Sequence, residues 1–288
     1  MTVRLIGGIE EIAAAYDGFI LDLWGVVHDG VAPYPGVLDC LRRLREIGKP
    51  VVFLSNAPRR ADDVVRRIGK IGVPEGLYDG VMSSGEEAWQ HLYRRDDPFY
   101  AGLGRACLHI CSDRDLEIRE GLGLDYVDRP EAAEFILNTG PAQWEDTIAD
   151  YDGVLRAAQA RGLPMVCANP DLVVMHGGVM ALCAGALAEH YEAIGGLVRW
   201  HGKPHPSVYH STLELIGTGD RRRLLAIGDS LRTDIAGAAA AGIDSLLIAG
   251  GVHADEFGAG DSVDLAQVEA ALDRAGLSPI GVAPRFAW

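Results

Sequence analysis

Three short apolar runs in this chain end in residues able to do chemistry. FILDLW (19–24) carries Asp22, VVFLS (51–55) closes on Ser55 and is followed by Asn56, and LLAIG (224–228) is followed by Asp229. If the runs are strands of one sheet, two carboxylates, a hydroxyl and an amide gather at its carboxyl edge, where α/β sheets bind their ligands. Carboxylate oxygens there suit a hard divalent cation. Hydroxyl and amide donors suit an anion whose charge develops during reaction, such as a phosphoryl group in transfer. A single Asp at a strand end is more often a turn former or helix cap; the coincidence of several points to a site.

The elements that must position these residues follow from periodicity. Short apolar runs alternate with amphipathic segments, the pattern of a parallel sheet flanked by helices, so the expected fold class is α/β. A helix begins near Pro35, with Val37, Leu41 and Leu44 on one face and Gly48 as its stop. The next carries Val64, Ile68 and Ile71, and VMSS (81–84) reads as a third strand. Ser84, with Glu87 three residues on, reads as the capping box of a following helix. Further strands are expected in ACLHIC (106–111), EFILN (134–138), MVCAN (165–169) and SLLIAG (245–250). Helices are expected from about Glu145 to Gly162, through 179–194, after Pro206, and from Asp234 to Ala241.

Composition narrows the function classes. Hydrophobic residues make 48% of the 288, and 41 acidic against 26 basic residues give a net charge of −15. Such a charge repels polyanions, so nucleic acid is not an expected partner. The run Arg221–Arg223 reads as a solvated turn. Five cysteines, none in a CxxC spacing, read as reduced core thiols and hence as a cytoplasmic protein. The opening residues lack a secretory layout because Glu10 and Glu11 interrupt the apolar run. Leu172 to Ala188 is the longest stretch without Asp, Glu, Lys or Arg. It is too short to span a bilayer and reads as a buried helix, so no membrane partner is expected.

Around the strand-end residues the chain resembles the haloacid dehalogenase-like superfamily of phosphohydrolases. DLWGVVHDG (22–30) is similar to its first motif, LSNAPR (54–59) to its second, HGKPHP (201–206) to its third and IGDSLRTDIAGA (227–238) to its fourth. The long stretch between the second and third motifs resembles subclass IIA, which holds nitrophenyl, phosphoglycolate, pyridoxal phosphate and nucleotide phosphatases. The resemblance implies a Rossmann-like, doubly wound core at 1–84 and 198–288, with an inserted α/β cap of the C2 type at 85–197. ANPD (168–171) and GGVMALCAG (177–185) are similar to the end of such a cap. It also implies a Mg2+ cofactor and a small phosphorylated metabolite as substrate. Homodimer formation is left open.

By the same resemblance, Asp22 is the nucleophile that forms an aspartyl-phosphate. Magnesium is held by Asp22, the main-chain carbonyl of Trp24 and Asp229, with Asp234 acting through water. Ser55 and the backbone amide of Asn56 donate to phosphate oxygens, and Lys203 neutralises charge on nucleophile and phosphoryl group. In the cap, Asn169 and Asp171 are the residues expected to face the substrate, although ANPD is also a plain turn sequence.

One position departs from the family pattern. Phosphatases of this superfamily carry an Asp two residues after the nucleophile as general acid and base, and Trp24 stands there. An indole donates a hydrogen bond but does not exchange its proton near neutral pH. Losing a general acid costs about 10² to 10⁴ in rate. His28 and Asp29 are the nearest replacements along the chain. Two further readings therefore stand beside the phosphatase: a phosphate-ligand binding or regulatory protein with little turnover, and carbon–halogen hydrolysis, against which Asp229 and Asp234 argue. His201, His205 and His210 lack an accompanying Cys or carboxylate cluster and read as turn residues rather than a zinc site. Lys203 is followed by Pro204, not Ser or Thr, so no P-loop is present, and no GxGxxG follows a strand.

Overall fold

The computed structural model describes residues 3–176, 179–217, 220–258 and 262–288. In chain order the strands are β1 (Gly18–Leu21), β2 (Val51–Ser55), β3 (Gly80–Ser83), β4 (Ala106–Ile110), β5 (Asp125–Val127), β6 (Phe135–Asn138), β7 (Met165–Cys167), β8 (Val173–His176), β9 (Val179–Leu182), β10 (Val198–Trp200), β11 (Leu224–Gly228), β12 (Asp244–Ile248) and β13 (Gly281–Ala283). The chain divides into two compact units. Met1–Ser55, Asp62–Met82 and Lys203–Trp288 form the first, and Asn56–Ala61 with Ser83–Gly202 form the second.

The first unit is built on a six-stranded sheet in the order β13-β12-β11-β1-β2-β3. β1 pairs in parallel with β11 on one side and β2 on the other, and the parallel pairing continues through β12 and β13. Strand order therefore reverses between β1 and β11, the kind of switch point at which an open sheet leaves a crevice beyond its carboxyl ends. GFIL and VVFLS carry no alternation because both faces are covered, and every residue of β1 and β2 is buried. One face packs Ile20, Val52, Leu54 and Ala226 against Val208 and Tyr209 of the helix Pro206–Ile216. Pairing of β1 stops at Leu21, earlier than the run FILDLW suggests. The Leu23 carbonyl accepts the Val27 and His28 N–H groups, which turns the chain away from the sheet just after Asp22.

The second unit holds a five-stranded parallel sheet, β10-β7-β6-β4-β5. Beside it lies an antiparallel pair, β8 and β9, in which Val173 registers with Leu182 and Val174 with Ala181. This corrects the helix expected through Leu172 to Ala188 and 179–194: the helix is Ala184–Ala193. Val173, Val174 and Val179 are β-branched and favour extended backbone. The Gly177-Gly178 pair between them is a hairpin-turn sequence, and those two glycines lie outside the described residues. The three-residue strands β5, β10 and β13 had no apolar run long enough to mark them. All five cysteines are free. Among the described residues, no helix is long and apolar enough to cross a membrane.

The helix Ser84–Arg94 starts one residue earlier than its capping box suggests. Ser83, in extended backbone, is the cap and accepts the Glu86 N–H at 3.0 Å, while Ser84 Oγ donates to the Ala57 carbonyl at 3.1 Å. Glu86 does not close the box, because its carboxylate takes Arg60 Nε at 2.7 Å and the Ala61 N–H at 3.1 Å. Replacing Ser83 with Ala should lower unfolding free energy by about 1 kcal/mol. Urea denaturation followed by circular dichroism measures it; a stability equal to the parent's would place the cap elsewhere.

Candidate active site

Asp22 stands one residue past the end of β1, and its N–H still donates to the Ile227 carbonyl at 2.9 Å, so the backbone at this residue is held by the sheet. Asp229 occupies the equivalent place past β11. Both therefore project at the switch point from the rigid end of a strand. Lys203 reaches the same place, its Nζ donating to Asp22 Oδ1 at 2.5 Å and to Asp234 Oδ1 at 2.7 Å. Asp234 lies in a single π-helical turn, Leu231–Ile235, with Ser230 as cap. Its second oxygen accepts the Ser230 N–H at 3.1 Å and its carbonyl accepts from Tyr209 Oη at 3.3 Å, so neither side chain nor backbone is free to swing.

Asp22, Asp229 and Asp234 each present one carboxylate oxygen within 4.8 Å of the others. Asp229 Oδ2 accepts the Val252 N–H at 2.6 Å. The close approach has a steric condition. Gly25 has φ +79°, and a Cβ there would collide with the Asp229 carboxylate.

Electrostatics show the strain of this arrangement. Burial raises the Asp22 carboxyl well above its usual range, with the Asp234 and Asp229 charges adding to the rise and Lys203 opposing it. Burial and the Asp234 charge raise Asp229 to about 7. Burial alone would depress the Lys203 ammonium, but Asp22 and Asp234 overcome it and hold the amine protonated, above its usual value. Three carboxylates against one ammonium would carry an excess of negative charge in a desolvated place, and the raised Asp22 and Asp229 carboxyls reflect it. A hard divalent cation relieves that excess, and the all-oxygen donor set fits magnesium.

Of the residues singled out in the sequence, the structure thus brings together Asp22, Lys203, Asp229 and Asp234. Ser55 ends β2 and is buried; because Phe53 registers with Leu21, it lies at the same carboxyl edge. The amides that fasten Asp229 and Asp234 belong to Val252 and Ser230, and as backbone groups they leave no mark in residue type. In the second unit, Asn56 Nδ2 donates to Asp171 Oδ1 at 2.8 Å, and Asn169 Oδ1 accepts the Asp171 N–H at 2.9 Å. ANPD is therefore a turn closed by its own asparagine. The histidines His201, His205 and His210 do not assemble: His205 precedes a helix as its cap residue, and the exposed His210 accepts from Arg221 Nη2 at 3.0 Å.

The loop after Asp22 settles what its other residues do. Trp24 is 50% exposed and lies over Gly30, with its ring edge-on to His28 at a centroid distance of 5.3 Å. His28 is buried; its Nδ1 accepts the Gly30 N–H at 3.0 Å, which leaves the ring proton on Nε2. Burial depresses its pKa to about 4. Asp29 accepts the Val31 and Ala32 N–H groups, each at 2.8 Å, and these bonds hold its carboxyl below the usual range. Neither of the two expected replacements for the missing acid therefore carries a labile proton at neutral pH: His28 is a neutral ring and Asp29 a turn-forming carboxylate.

Comparison with known proteins places these features in a group. Residues 19–125 match the family model of haloacid dehalogenase-like hydrolases, and residues 200–272 match a second described as HAD-hydrolase-like. A haloacid dehalogenase-like family hydrolase from Brucella suis 1330 superposes with a TM-score of 0.83 at 32% identity, covering 98% of this chain and 100% of that one. The D-glycerol 3-phosphate phosphatase of Mycobacterium tuberculosis is 30% identical over 85% of this chain, which spans 66% of that protein's length. The ribonucleotide monophosphatase NagD of Escherichia coli K12 is 28% identical over 81% of this chain and 87% of its own.

The His28 environment has a pH consequence. A histidine depressed from 6.5 to about 4 in the fold binds fewer protons there than in the unfolded chain. Its contribution to stability is thus complete above pH 6.5 and lost as pH falls toward 4, by up to about 3 kcal/mol. Thermal unfolding between pH 7 and 4 should fall less steeply for His28→Asn than for the parent. Parallel profiles would show that the ring titrates normally.

Proposed function

Because the chain belongs to the haloacid dehalogenase-like hydrolases, among the subclass IIA-type phosphatases, we propose that it is a magnesium-dependent phosphatase. Its substrates are monoesters of small phosphorylated metabolites, and it acts through an aspartyl-phosphate on Asp22. The observation that carries this reading is the Asp22–Lys203–Asp234 arrangement, with Nζ at 2.5 and 2.7 Å from the two carboxylates.

The chemistry follows from that geometry. Asp22 attacks phosphorus, and the phosphorus–oxygen bond to the leaving group breaks as the acyl phosphate forms. Lys203, held protonated, faces the attacking oxygen and offsets the charge that spreads onto the phosphoryl group. Ser55 donates to a phosphate oxygen. Asp22, the Trp24 carbonyl and Asp229 would hold magnesium, with Asp234 supporting it through water. When bound, the ion supplies charge neutralisation for nucleophile and phosphoryl group. Water then cleaves the acyl phosphate at phosphorus and restores the Asp22 carboxylate.

Trp24 sets what this pocket can turn over. With Trp24, His28 and Asp29 all unable to give a proton at neutral pH, an alkoxide leaving group departs slowly, whereas aryl or acyl phosphates leave without one. A second reading, a phosphate-ligand binding protein with turnover lost, is favoured by this one residue. Rate measurements separate the two. Asp22→Asn should abolish hydrolysis of 4-nitrophenyl phosphate, and the parent should turn over aryl far faster than alkyl phosphates at saturation. Trp24→Asp should raise alkyl turnover by up to about 10² to 10⁴, the usual contribution of a general acid. Equal aryl and alkyl rates, or no aryl hydrolysis at any magnesium concentration, would contradict the reading.

Magnesium binding should depend on pH. The Asp22 and Asp229 carboxyls titrate above their usual range, so protons compete with the ion at low pH. The rise in Tm on adding magnesium should be larger at pH 8 than at pH 5. Differential scanning fluorimetry checks this, and equal shifts at both pH values would mean the ion binds elsewhere.

A further inference from the structure

A second cluster of metal-ligating side chains lies wholly within the second unit. Glu87 and His91 sit four residues apart on the helix Ser84–Arg94, one turn above each other on the same face. His201 follows β10 and meets them from a distant part of the sequence. One ligand atom from each of the three lies within 4.8 Å of the others. Glu87 and His201 are buried, and His91 is half-buried.

The contacts around the cluster resemble those of a metal's outer shell. His201 Nε2 is hydrogen-bonded to the Tyr100 hydroxyl, which leaves Nδ1 as the atom facing Glu87. That Nδ1 stands 3.2 Å from Glu87 Oε2 yet makes no hydrogen bond. A close nitrogen–oxygen approach without hydrogen-bond alignment is what two ligands on one ion show. Bonds of about 2.0–2.1 Å around a tetrahedral ion put neighbouring ligand atoms about 3.3 Å apart. The Gly202 N–H donates to the same Glu87 oxygen at 2.9 Å and fixes the carboxylate, as outer-shell donors do for ligating carboxylates. The His91 and His201 rings are 5.2 Å apart between centroids, close enough for both to address one ion.

We propose that Glu87, His91 and His201 Nδ1 form a binding site for a borderline transition-metal dication of the zinc type, separate from the carboxylate site in the first unit. Two imidazoles and one carboxylate are a zinc-type donor set, whereas magnesium prefers oxygen throughout. An ion there would tie the helix Ser84–Arg94 to the segment that leads, two residues after His201, into Lys203. The site is independent of the phosphatase reading, and neither stands or falls with the other.

The test is zinc content after dialysis against zinc in a large excess of magnesium, which keeps the first-unit carboxylates occupied. The parent and Asp229→Asn should each retain one zinc per chain, and His91→Ala and Glu87→Gln should fall to background. Cobalt in place of zinc should give the visible absorption of a four-coordinate ion in the parent but not in His91→Ala. Circular dichroism establishes that the variants are folded. If His91→Ala is not, His91→Cys decides, since a thiolate should restore zinc and add a cobalt–thiolate band. Zinc absent from the parent, zinc content unchanged in folded His91→Ala, or no metal in folded His91→Cys would each overturn the proposal.

Discussion

A buried ammonium between two carboxylates governs the rest of this structure. Lys203 is buried, and a lone desolvated ammonium would lose its proton. Asp22 and Asp234, at 2.5 and 2.7 Å, reverse that tendency. The same burial raises the Asp22 carboxyl well above its usual range, and Lys203 opposes that rise. Removing one partner from such a buried set is far more disruptive than never having built it. Asp229 brings a third carboxylate to the same place, an all-oxygen set of the kind that fits a hard dication.

The fold meets this constraint with backbone rather than with additional charged side chains. Asp22 and Asp229 leave adjacent parallel strands at the switch point, so their separation is set by the pairing of β1 with β11. Amide donors from Ser230 and Val252 orient two of the three carboxylates. Glycine at position 25 lets the loop after Asp22 pass against Asp229 in a left-handed turn. That loop goes on to bury His28 beneath Trp24, so the residue type standing in place of the usual acid is also part of the loop's packing.

How much of this is legible in the sequence depends on the kind of information involved. The α/β class and the paired carboxylates at strand ends show in apolar runs that close on Asp22 and Asp229. Lys203 and Asp234 carry no such mark and stand out only through resemblance of HGKPHP and IGDSLRTD to family motifs. Local spacing misleads where the partner is distant. Three histidines between 201 and 210 suggest proximity, yet His201 finds Glu87 and His91 instead, across a separation no local pattern can show. The antiparallel pair β8–β9 was hidden by an uncharged stretch that looks continuous, although its valines and its glycine pair point to a hairpin. The Ser83 cap was displaced by one residue because Ser83 and Ser84 offer the same hydroxyl, and only backbone geometry separates them.

The proposed reaction makes Asp22 covalently phosphorylated. The acyl phosphate formed from an activated aryl ester, whose leaving group needs no proton, should form faster than it is hydrolysed. Borohydride reduces an acyl phosphate of aspartate to homoserine, so rapid quenching of the protein with magnesium and 4-nitrophenyl phosphate, followed by peptide mass spectrometry, reads the intermediate directly. Homoserine at position 22, absent without substrate, is the expected result. Release of nitrophenol with Asp22 unmodified, or with the modification on another carboxylate, would contradict it.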